Sequence, residues 1–277
     1  MDLAGRIYIK AYYYFANIIL REKKLDIHDS FRNARNIILY FDYEREFGGH
    51  DTCICDEDIH NILNSLDQYN LNATWFTVGK IFEHYPGSIE EILSRGHEIG
   101  SHTYAHLAPL KSSVSNLKKD FQHFQNVSSS YTRVKGFHYP NSKWSISTLK
   151  ELGRYDFIYD MVYCREQFTR LISERILSRN KKVLRFCSIG DDWPLYKKET
   201  TEENAYNHFV NLYEKVKTGS VCGIGFHPWV LISDENIMKG FLKFLKYLAG
   251  QENKFVKTAV EFATLILDHH KLPVENK

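Results

Sequence analysis

The stretch Gly96–Leu110 reads GHEIGSHTYAHLAPL and sets two histidines, His102 and His106, four residues apart. Side chains at this spacing on a helical turn share one face, so both imidazoles can reach the same metal ion. Two solvated histidines at a helix start would show the same spacing. Glycines precede the pair, however, and His97-Glu98-Ile99 is typical of a short strand leading into it. We therefore expect the pair on a loop after a strand, where it would bind a metal.

A carboxylate that would complete such a site follows the apolar run Ile37–Phe41. Five apolar residues in succession predict a strand that is buried on both faces, as in a parallel sheet. Asp42 and Glu44 come next and, being two apart, point to the same side of an extended chain. A carboxylate buried there is costly unless it is paired or bound to metal. An ordinary strand end with solvated acids is the alternative.

The composition is that of a globular protein and gives no electrostatic case for nucleic acid. Among 277 residues, 43% are apolar and 25% are charged, and the formal net charge is only +2. A nucleic-acid-binding surface is expected to carry a marked basic excess. The five cysteines are odd in number and scattered, which favours a reducing compartment over a disulfide framework.

Residues 1–35 are predicted to form an N-terminal amphipathic helix and a lead-in to the main domain. One face of the helix would comprise Ile7, Ala11, Tyr14, Phe15, Ile18 and Glu22. The apolar stretch Ala11–Leu20 is too short to cross a bilayer, which takes ~20 residues. The helix would either rest on an anionic membrane surface or pack on the main domain. Since no secretory signal pattern is visible, we expect a cytoplasmic location, including the inner face of the membrane.

Residues 36–277 are predicted to form one domain in which strands alternate with helices about seven times. This alternation indicates a parallel sheet with helices outside, as an open sheet or as a barrel. The carboxyl ends of the strands in a parallel barrel gather at one mouth, where sites form. The polar residues that follow predicted strands are Asp42 and Glu44, His102 and His106, His138, Asp191 and Asp192, and His227.

Four segments together resemble the NodB-type polysaccharide deacetylases, carbohydrate esterase family four. They are FDYE at 41–44, GHEIGSHTYAH at 96–106, GDDWP at 190–194 and FHP at 226–228. The resemblance extends from residue 36 to nearly the end of the chain, and D-x-[DE] in FDYE is typical of one branch of the family. It implies an α/β fold, a distorted (β/α) barrel of about seven parallel strands, to which the N-terminal helix is an addition. It also implies a divalent metal, with Zn²⁺ as the expected ion.

The resemblance carries the family's roles to individual residues of this chain. Asp42 matches the catalytic base and Glu44 the carboxylate that binds the metal. His102 and His106 match the two metal-binding histidines. His227 matches the late histidine that acts as general acid.

The third motif departs from the family pattern. Where the family has R-x-P with an arginine against the base, this chain has His138 followed by Tyr139 and proline. Guanidinium is always charged and binds a carboxylate with two donors, whereas histidine is charged only part of the time. Either His138 takes over, or Arg45 or Arg185 reaches the base, or catalysis is weakened.

The two acids of GDDWP, Asp191 and Asp192, match a segment of the D-x-[DE] branch. The resemblance implies a supporting or substrate-facing role for both. A backbone N–H, such as that of Tyr139, would hold the oxyanion of the reaction.

The activity that the resemblance implies is metal-dependent removal of an N-acetyl or N-formyl group from an amino sugar. Without a visible signal sequence, a nucleotide-linked or lipid-linked precursor in surface polysaccharide biosynthesis fits better than an external polymer. Two alternatives remain at this stage: hydrolysis of a small cyclic or linear amide at the same site, and a metal-binding module with little turnover.

Overall fold

The strands of the fold all belong to one sheet. The computed structural model describes residues 3–20, 22–164, 166–172, 176–177 and 181–272. The strands within these ranges are β1 (Lys23–Leu25), β2 (Arg35–Tyr43), β3 (Thr74–Thr77), β4 (Glu98–Ser101), β5 (Gly136–His138), β6 (Tyr159–Tyr163), β7 (Thr169–Leu171), β8 (Leu184–Gly190), β9 (Val221–Phe226) and β10 (Lys254–Val256). β2 contains the predicted run Ile37–Phe41, which is buried on both of its faces.

Seven of these strands close into a parallel barrel. β2, β3, β4, β5, β6 and β8 pair in that order. β9 then pairs with both β8 and β2 and so completes the ring. The register shifts between Ser188 and Gly190, which distorts the ring at β8. The prediction of a distorted (β/α) barrel is confirmed, and the open-sheet alternative is wrong.

Helices surround the barrel and bury one face each against it. They are α1 (Leu3–Leu20), α2 (Asp56–Asp67), α3 (Lys80–His84), α4 (Pro86–Ser94), α5 (Val114–Ser128), α6 (Ile146–Leu152), α7 (Glu202–Lys215), α8 (Pro228–Leu231), α9 (Glu235–Ala249) and α10 (Ala259–His269). In α2, for example, Ile59, Ile62, Leu63 and Leu66 are all buried. Their spacing of three and four residues is that of an amphipathic helix facing a core.

Two local predictions require correction. Asp56 is predicted as the cap of α2, but Cys55 holds that position and its N–H donates to the Asp58 carboxylate at 2.8 Å. The acid that satisfies the helix start therefore lies three residues after the cap. The last helix, predicted to begin at Val256, begins at Ala259 because Val256 ends strand β10.

Three short strands, β1, β7 and β10, extend the sheet beyond the barrel. β1 pairs antiparallel with β7, β7 antiparallel with β8, and β10 parallel with β2. The lead-in to β2, predicted as a loop, thus contains a strand. Each of these strands has three residues, too few for a period of two to be distinguished from a loop.

The helix α1 packs on the barrel with one side only. Ala16 and Leu20 are buried. The hydroxyls of Tyr12 and Tyr13 hydrogen-bond backbone atoms of residues 146 and 144, at 2.8 and 3.3 Å. None of the helices in the described ranges has both the length and the apolar character that a membrane span requires.

Candidate active site at the barrel mouth

The polar residues that the sequence analysis placed after strands converge at the carboxyl ends of the barrel strands. Asp42 is the penultimate residue of β2, and His102 and His227 directly follow β4 and β9. Because β2 pairs with β9 and neighbours β3, residues far apart in the chain meet at this mouth. Asp42, Glu44 and His227 line a cavity of about 1370 Å³.

Glu44, His102 and His106 bring three ligand atoms together. Glu44 Oε1 lies 3.3 Å from His102 Nε2 and 3.1 Å from His106 Nε2. Both Nε2 atoms are buried, and neither has a hydrogen-bond partner in the described ranges. Buried ring nitrogens without partners, gathered around a carboxylate, fit a divalent cation held by two imidazoles and one carboxylate.

The ring of His102 is fixed in the form that a metal requires. Its Nδ1 lies 3.1 Å from the carbonyl oxygen of His138. A carbonyl can only accept, so Nδ1 carries the proton and the lone pair of Nε2 faces Glu44.

The carboxylate of Glu44 is held from the other side. The indole N–H of Trp229 donates to its Oε2 at 3.1 Å. A Cβ at Gly48 would lie only 2.2 Å from that oxygen, so the glycine makes room for the carboxylate. Burial raises the pKa of Glu44, but the neighbouring imidazoles of His102, His106 and His227 outweigh it and hold that pKa well below its usual range. The side chain is therefore an anion ready for a cation.

The loop that carries the two histidines is irregular, as expected, and is held in a strained conformation. Thr103 and His106 have φ values of 66° and 52°. Left-handed backbone at residues other than glycine costs roughly 1–3 kcal/mol and persists only where the surroundings enforce it. Here the Asp120 carboxylate accepts the N–H groups of Tyr104 at 2.8 Å and Ala105 at 3.0 Å. These bonds fix the backbone between the two ligands.

Asp120 is a residue that the sequence analysis did not identify. It lies on the buried face of α5 together with Leu117, Phe121 and Phe124. An acid among apolar positions of a helix is costly unless it has partners, and that pattern was the available signal. Burial raises the pKa of Asp120, although the two backbone N–H groups oppose the shift.

Asp42 lies between two histidine rings. Its Oδ1 is 2.8 Å from His138 Nδ1, and its Oδ2 is 3.6 Å from His227 Nε2. Burial raises the pKa of Asp42, but the neighbouring imidazoles of His138 and His102 outweigh it, so the net shift is downward. The carboxylate is therefore ionised and able to accept a proton.

His227 is held by Asp192. Its Nδ1 donates to Asp192 Oδ1 at 2.6 Å, and its backbone N–H donates to Oδ2 at 2.8 Å. Burial lowers the pKa of His227, but the carboxylates of Asp192 and Asp42 outweigh it and raise that pKa to about 10. The ring is thus protonated, with Nε2 directed toward Asp42.

The two arginines considered for the third motif bind elsewhere, whereas His138 reaches Asp42. Arg45 donates to the Tyr43 hydroxyl at 2.7 Å and pairs with Asp56. Arg185 pairs with a carboxylate of β6 at 2.6 Å and with one of the lead-in at 2.8 Å. The hydrogen bond from His138 is therefore the contact that corresponds in place to the expected arginine.

Tyr139 and Asp191 have different surroundings. The hydroxyl of Tyr139 is buried and donates to Asp160 at 2.7 Å, away from the cavity. Asp191 lines the cavity and accepts the N–H of Trp193 at 3.0 Å. A backbone role for Tyr139 and a substrate-facing role for Asp191 stay predictions.

Aromatic rings form one wall of the cavity. The ring centroids of Trp193 and Tyr196 lie 5.5 Å and 4.7 Å from that of Trp229, both at steep angles. Trp193 is 57% exposed, so its ring is open to a ligand. Aromatic faces at the edge of a polar site offer an apolar surface without competing hydrogen-bond donors.

Fold and site together define a class: a closed (β/α) barrel with a candidate metal centre beside a carboxylate and a protonated histidine. Residues 32–159 match the polysaccharide deacetylase family, and this confirms the predicted resemblance to the NodB-type polysaccharide deacetylases. The matched segment includes Asp42, Glu44, His102, His106 and His138. The D-x-[DE] branch stays a prediction.

Individual relatives agree with the family match. A peptidoglycan-N-acetylglucosamine deacetylase of Bacillus cereus is 44% identical over 45 residues, which are 16% of each chain. A peptidoglycan deacetylase of Helicobacter pylori is 28% identical over 139 residues, 49% of this chain and 42% of the relative. The chain therefore matches less than half the length of these relatives.

The fold is shared with solved structures. The crystal structure of a putative polysaccharide deacetylase from Mycobacterium smegmatis aligns with a TM-score of 0.74 at 15% identity. The alignment covers 93% of this chain and 98% of that one. At this identity the likeness concerns the barrel alone.

Proposed function

We propose that this protein is a metal-dependent hydrolase that removes an N-acetyl or N-formyl group from an amino sugar. One observation carries the proposal: an ionised carboxylate, Asp42, and a protonated ring, His227, stand beside three convergent ligand atoms. Amide hydrolysis needs both a proton acceptor for water and a proton donor for the departing amine.

The metal would be held by Glu44, His102 and His106. Two imidazoles and one carboxylate form a ligand set that Zn²⁺ uses in catalytic sites, which supports zinc as the ion. When bound, a divalent cation supplies a Lewis acid and lowers the pKa of water toward neutrality.

The proton transfers would fall to this chain's own side chains. Asp42 would accept the proton of the attacking water, and its hydrogen bond to His138 keeps the carboxylate oriented. His227 would donate the proton from Nε2 to the amine nitrogen as the carbon–nitrogen bond breaks. Asp192 holds that ring in place through two hydrogen bonds. The backbone N–H of Tyr139, next to His138, would stabilise the oxyanion.

An amino sugar within a glycan precursor suits the cavity. Its volume of about 1370 Å³ exceeds what one monosaccharide fills, and the ring of Trp193 offers a face for a sugar. We infer a nucleotide- or lipid-linked sugar of surface polysaccharide biosynthesis as the substrate. A cytoplasmic location goes with this proposal, and the five free cysteines are consistent with it.

The test is a substrate panel with release of acetate or formate as the readout. Zinc-loaded protein would be incubated with acetylated and formylated amino sugars, free, nucleotide-linked and lipid-linked, and with small cyclic amides. Asp42→Asn serves as the matched control because it keeps the metal ligands. Release from amino sugars by wild type alone is expected. Cleavage of cyclic amides only would favour the small-amide alternative, and zinc binding without release from any compound would favour a binding module.

A further inference from the structure

The outward side of α1 is the largest concentration of exposed apolar side chains in the described part of the chain. Of the twelve large apolar side chains that are exposed there, six lie on this helix. They are between 57% and 66% exposed: Ile7, Tyr8, Tyr14, Phe15, Ile18 and Ile19. The other six are spread over separate elements of the fold.

These six side chains form one continuous face. At 100° per residue their positions fall within roughly 140° of the helix circumference. The opposite side, with Ala16 and Leu20, is buried against the barrel. The helix is thus apolar on two sides: its inner side packs against the core, and its outer side exposes apolar groups. Exposed apolar side chains of this kind do not stabilise a monomer in water.

The charges around the face are positive. α1 contains no acidic residue, and Lys10 is exposed at its border. Lys23 and Lys24, three and four residues after the helix, are exposed as well, with the Lys24 ammonium over the ring of Phe168. Glu22, two residues after the helix, is turned inward and pairs with Arg185 at 2.8 Å. A basic rim beside an apolar, tyrosine-rich face is the composition of helices that lie in a membrane interface.

We propose that the outward face of α1 docks on the surface of an anionic lipid bilayer. The helix would lie parallel to the surface with its apolar side chains among the headgroups and upper acyl chains. The helix also contributes Ile9 and Tyr13 to the wall of the cavity that contains Asp42 and His227. Docking would therefore bring the cavity beside the bilayer. This docking is independent of the proposed hydrolase activity.

Vesicle flotation tests the docking with the full chain. The vesicles would contain phosphatidylcholine alone, or phosphatidylcholine with about one-third phosphatidylglycerol as the anionic lipid. Wild type is expected to float with the anionic vesicles and much less with the neutral ones. Phe15→Ser with Ile18→Ser should lower the partition coefficient about tenfold, since binding scales with buried apolar area. Lys10→Gln should lower it about fivefold on anionic vesicles only.

The matched control replaces exposed apolar residues elsewhere, Leu242→Ser with Leu265→Ser, which are 37% and 38% exposed. This variant should float like wild type. Thermal unfolding followed by circular dichroism checks that both double variants fold. Folded wild type that stays with the soluble fraction, or equal flotation of the two double variants, would overturn the proposal. So would a concentration-dependent dimer in light scattering that α1 substitutions abolish while no vesicle binding occurs.

Discussion

Two glutamates at opposite ends of the barrel, Glu98 at the base and Glu44 at the mouth, show how surroundings decide what a carboxylate does. Glu98 begins β4 and accepts the hydroxyls of Tyr159 at 2.7 Å and Thr74 at 2.8 Å. It also accepts the backbone N–H of Val260 at 2.9 Å. Glu44 instead faces the Nε2 atoms of His102 and His106, which have no hydrogen-bond partner within the described residues. The surroundings of Glu98 at the bottom of the barrel form a closed hydrogen-bond network, whereas those of Glu44 at the mouth form an open set of metal ligands.

The protonation of the two side chains differs accordingly. Burial raises the pKa of Glu98 to about 7 despite its three hydrogen bonds. Burial also acts on Glu44, but the rings of His102 and His106 hold its pKa well below the usual range. The neutral hydroxyl groups around Glu98 thus tolerate its protonated form, and their hydrogen bonds join β4 to β3 and β6. Imidazoles around a carboxylate maintain the negative charge that a cation needs.

The largest effect is expected when the open ligand set at the mouth is broken. His102→Ala or His106→Ala removes one of two imidazole ligands and should abolish stoichiometric zinc binding and, with it, turnover. Elemental analysis of the purified variants gives the metal content. His123→Ala, an exposed histidine of α5, is the control and should keep its zinc. Full metal content in both ligand variants would contradict the assignment.

Asp42→Asn tests the proposed general base without changing the proposed metal ligands. The amide cannot accept the proton of water, so turnover should fall by ~10²- to 10⁴-fold while zinc content stays unchanged. Single-turnover kinetics on zinc-loaded protein measures the loss. An undiminished rate would remove Asp42 from the role of general base.

Asp120→Asn tests how the strained loop supports the ligands. The amide keeps one acceptor but places donors against the second backbone N–H, so the loop between the histidines loses a bond. Zinc affinity should weaken by roughly 10- to 100-fold, as for other groups that orient ligands. Competition with a chelator measures the affinity, with Glu90→Gln at an exposed position of α4 as the control. Unchanged zinc affinity would show that the bonds from Asp120 to the loop are not needed to position the two histidines.

The contact between His138 and Asp42 can be tested with two substitutions. His138→Ala removes a donor 2.8 Å from the base and should lower kcat by about tenfold with zinc retained. His138→Gln supplies an amide donor and should recover part of that loss. If the two variants were equally slow, the hydrogen bond would not be what the reaction needs.

At the base of the barrel, Glu98→Gln should change stability with pH and leave turnover unchanged. The folded-state pKa of about 7 lies above the ordinary value of 4.5, so the folded protein holds a proton that the unfolded chain releases. The stabilisation by Glu98 is complete below pH 4.5 and is lost as pH rises through 7. As pH rises across that window, wild type should lose up to about 3 kcal/mol of unfolding free energy relative to the variant. Urea denaturation at several pH values measures it, and a pH-independent difference would refute the shift.

The sequence was most informative where function and burial act on several neighbouring residues. The run Ile37–Phe41 predicts β2. The apolar run Val221–Phe226 likewise lies between turn signals, predicts a buried strand, and coincides with β9. The position of strand ends predicted that acids and histidines meet, and the resemblance to the NodB-type family singled out Glu44 as the partner of the two histidines. Periodicity and motifs are both local properties, and for these elements local properties suffice.

What the sequence could not supply are contacts between distant elements. Nothing local shows that His138 rather than an arginine reaches Asp42, since this depends on how β5 and β2 lie across the barrel. The support of the loop by Asp120 depends likewise on the packing of α5. Three-residue strands such as β10 are specified by their partner strand, and their own residues carry too weak a signal.

The barrel is closed by the pairing of β2 with β9, and Asp42 and His227 stand on either side of that junction. The first strand of the ring carries the proposed proton acceptor, and the proposed donor directly follows the last strand. During translation, a chain that has not yet emerged past residue 226 contains the three ligands but neither a complete ring nor its acid. Catalytic activity would therefore arise in a single late step of synthesis. A shorter nascent chain that binds zinc would remain inactive.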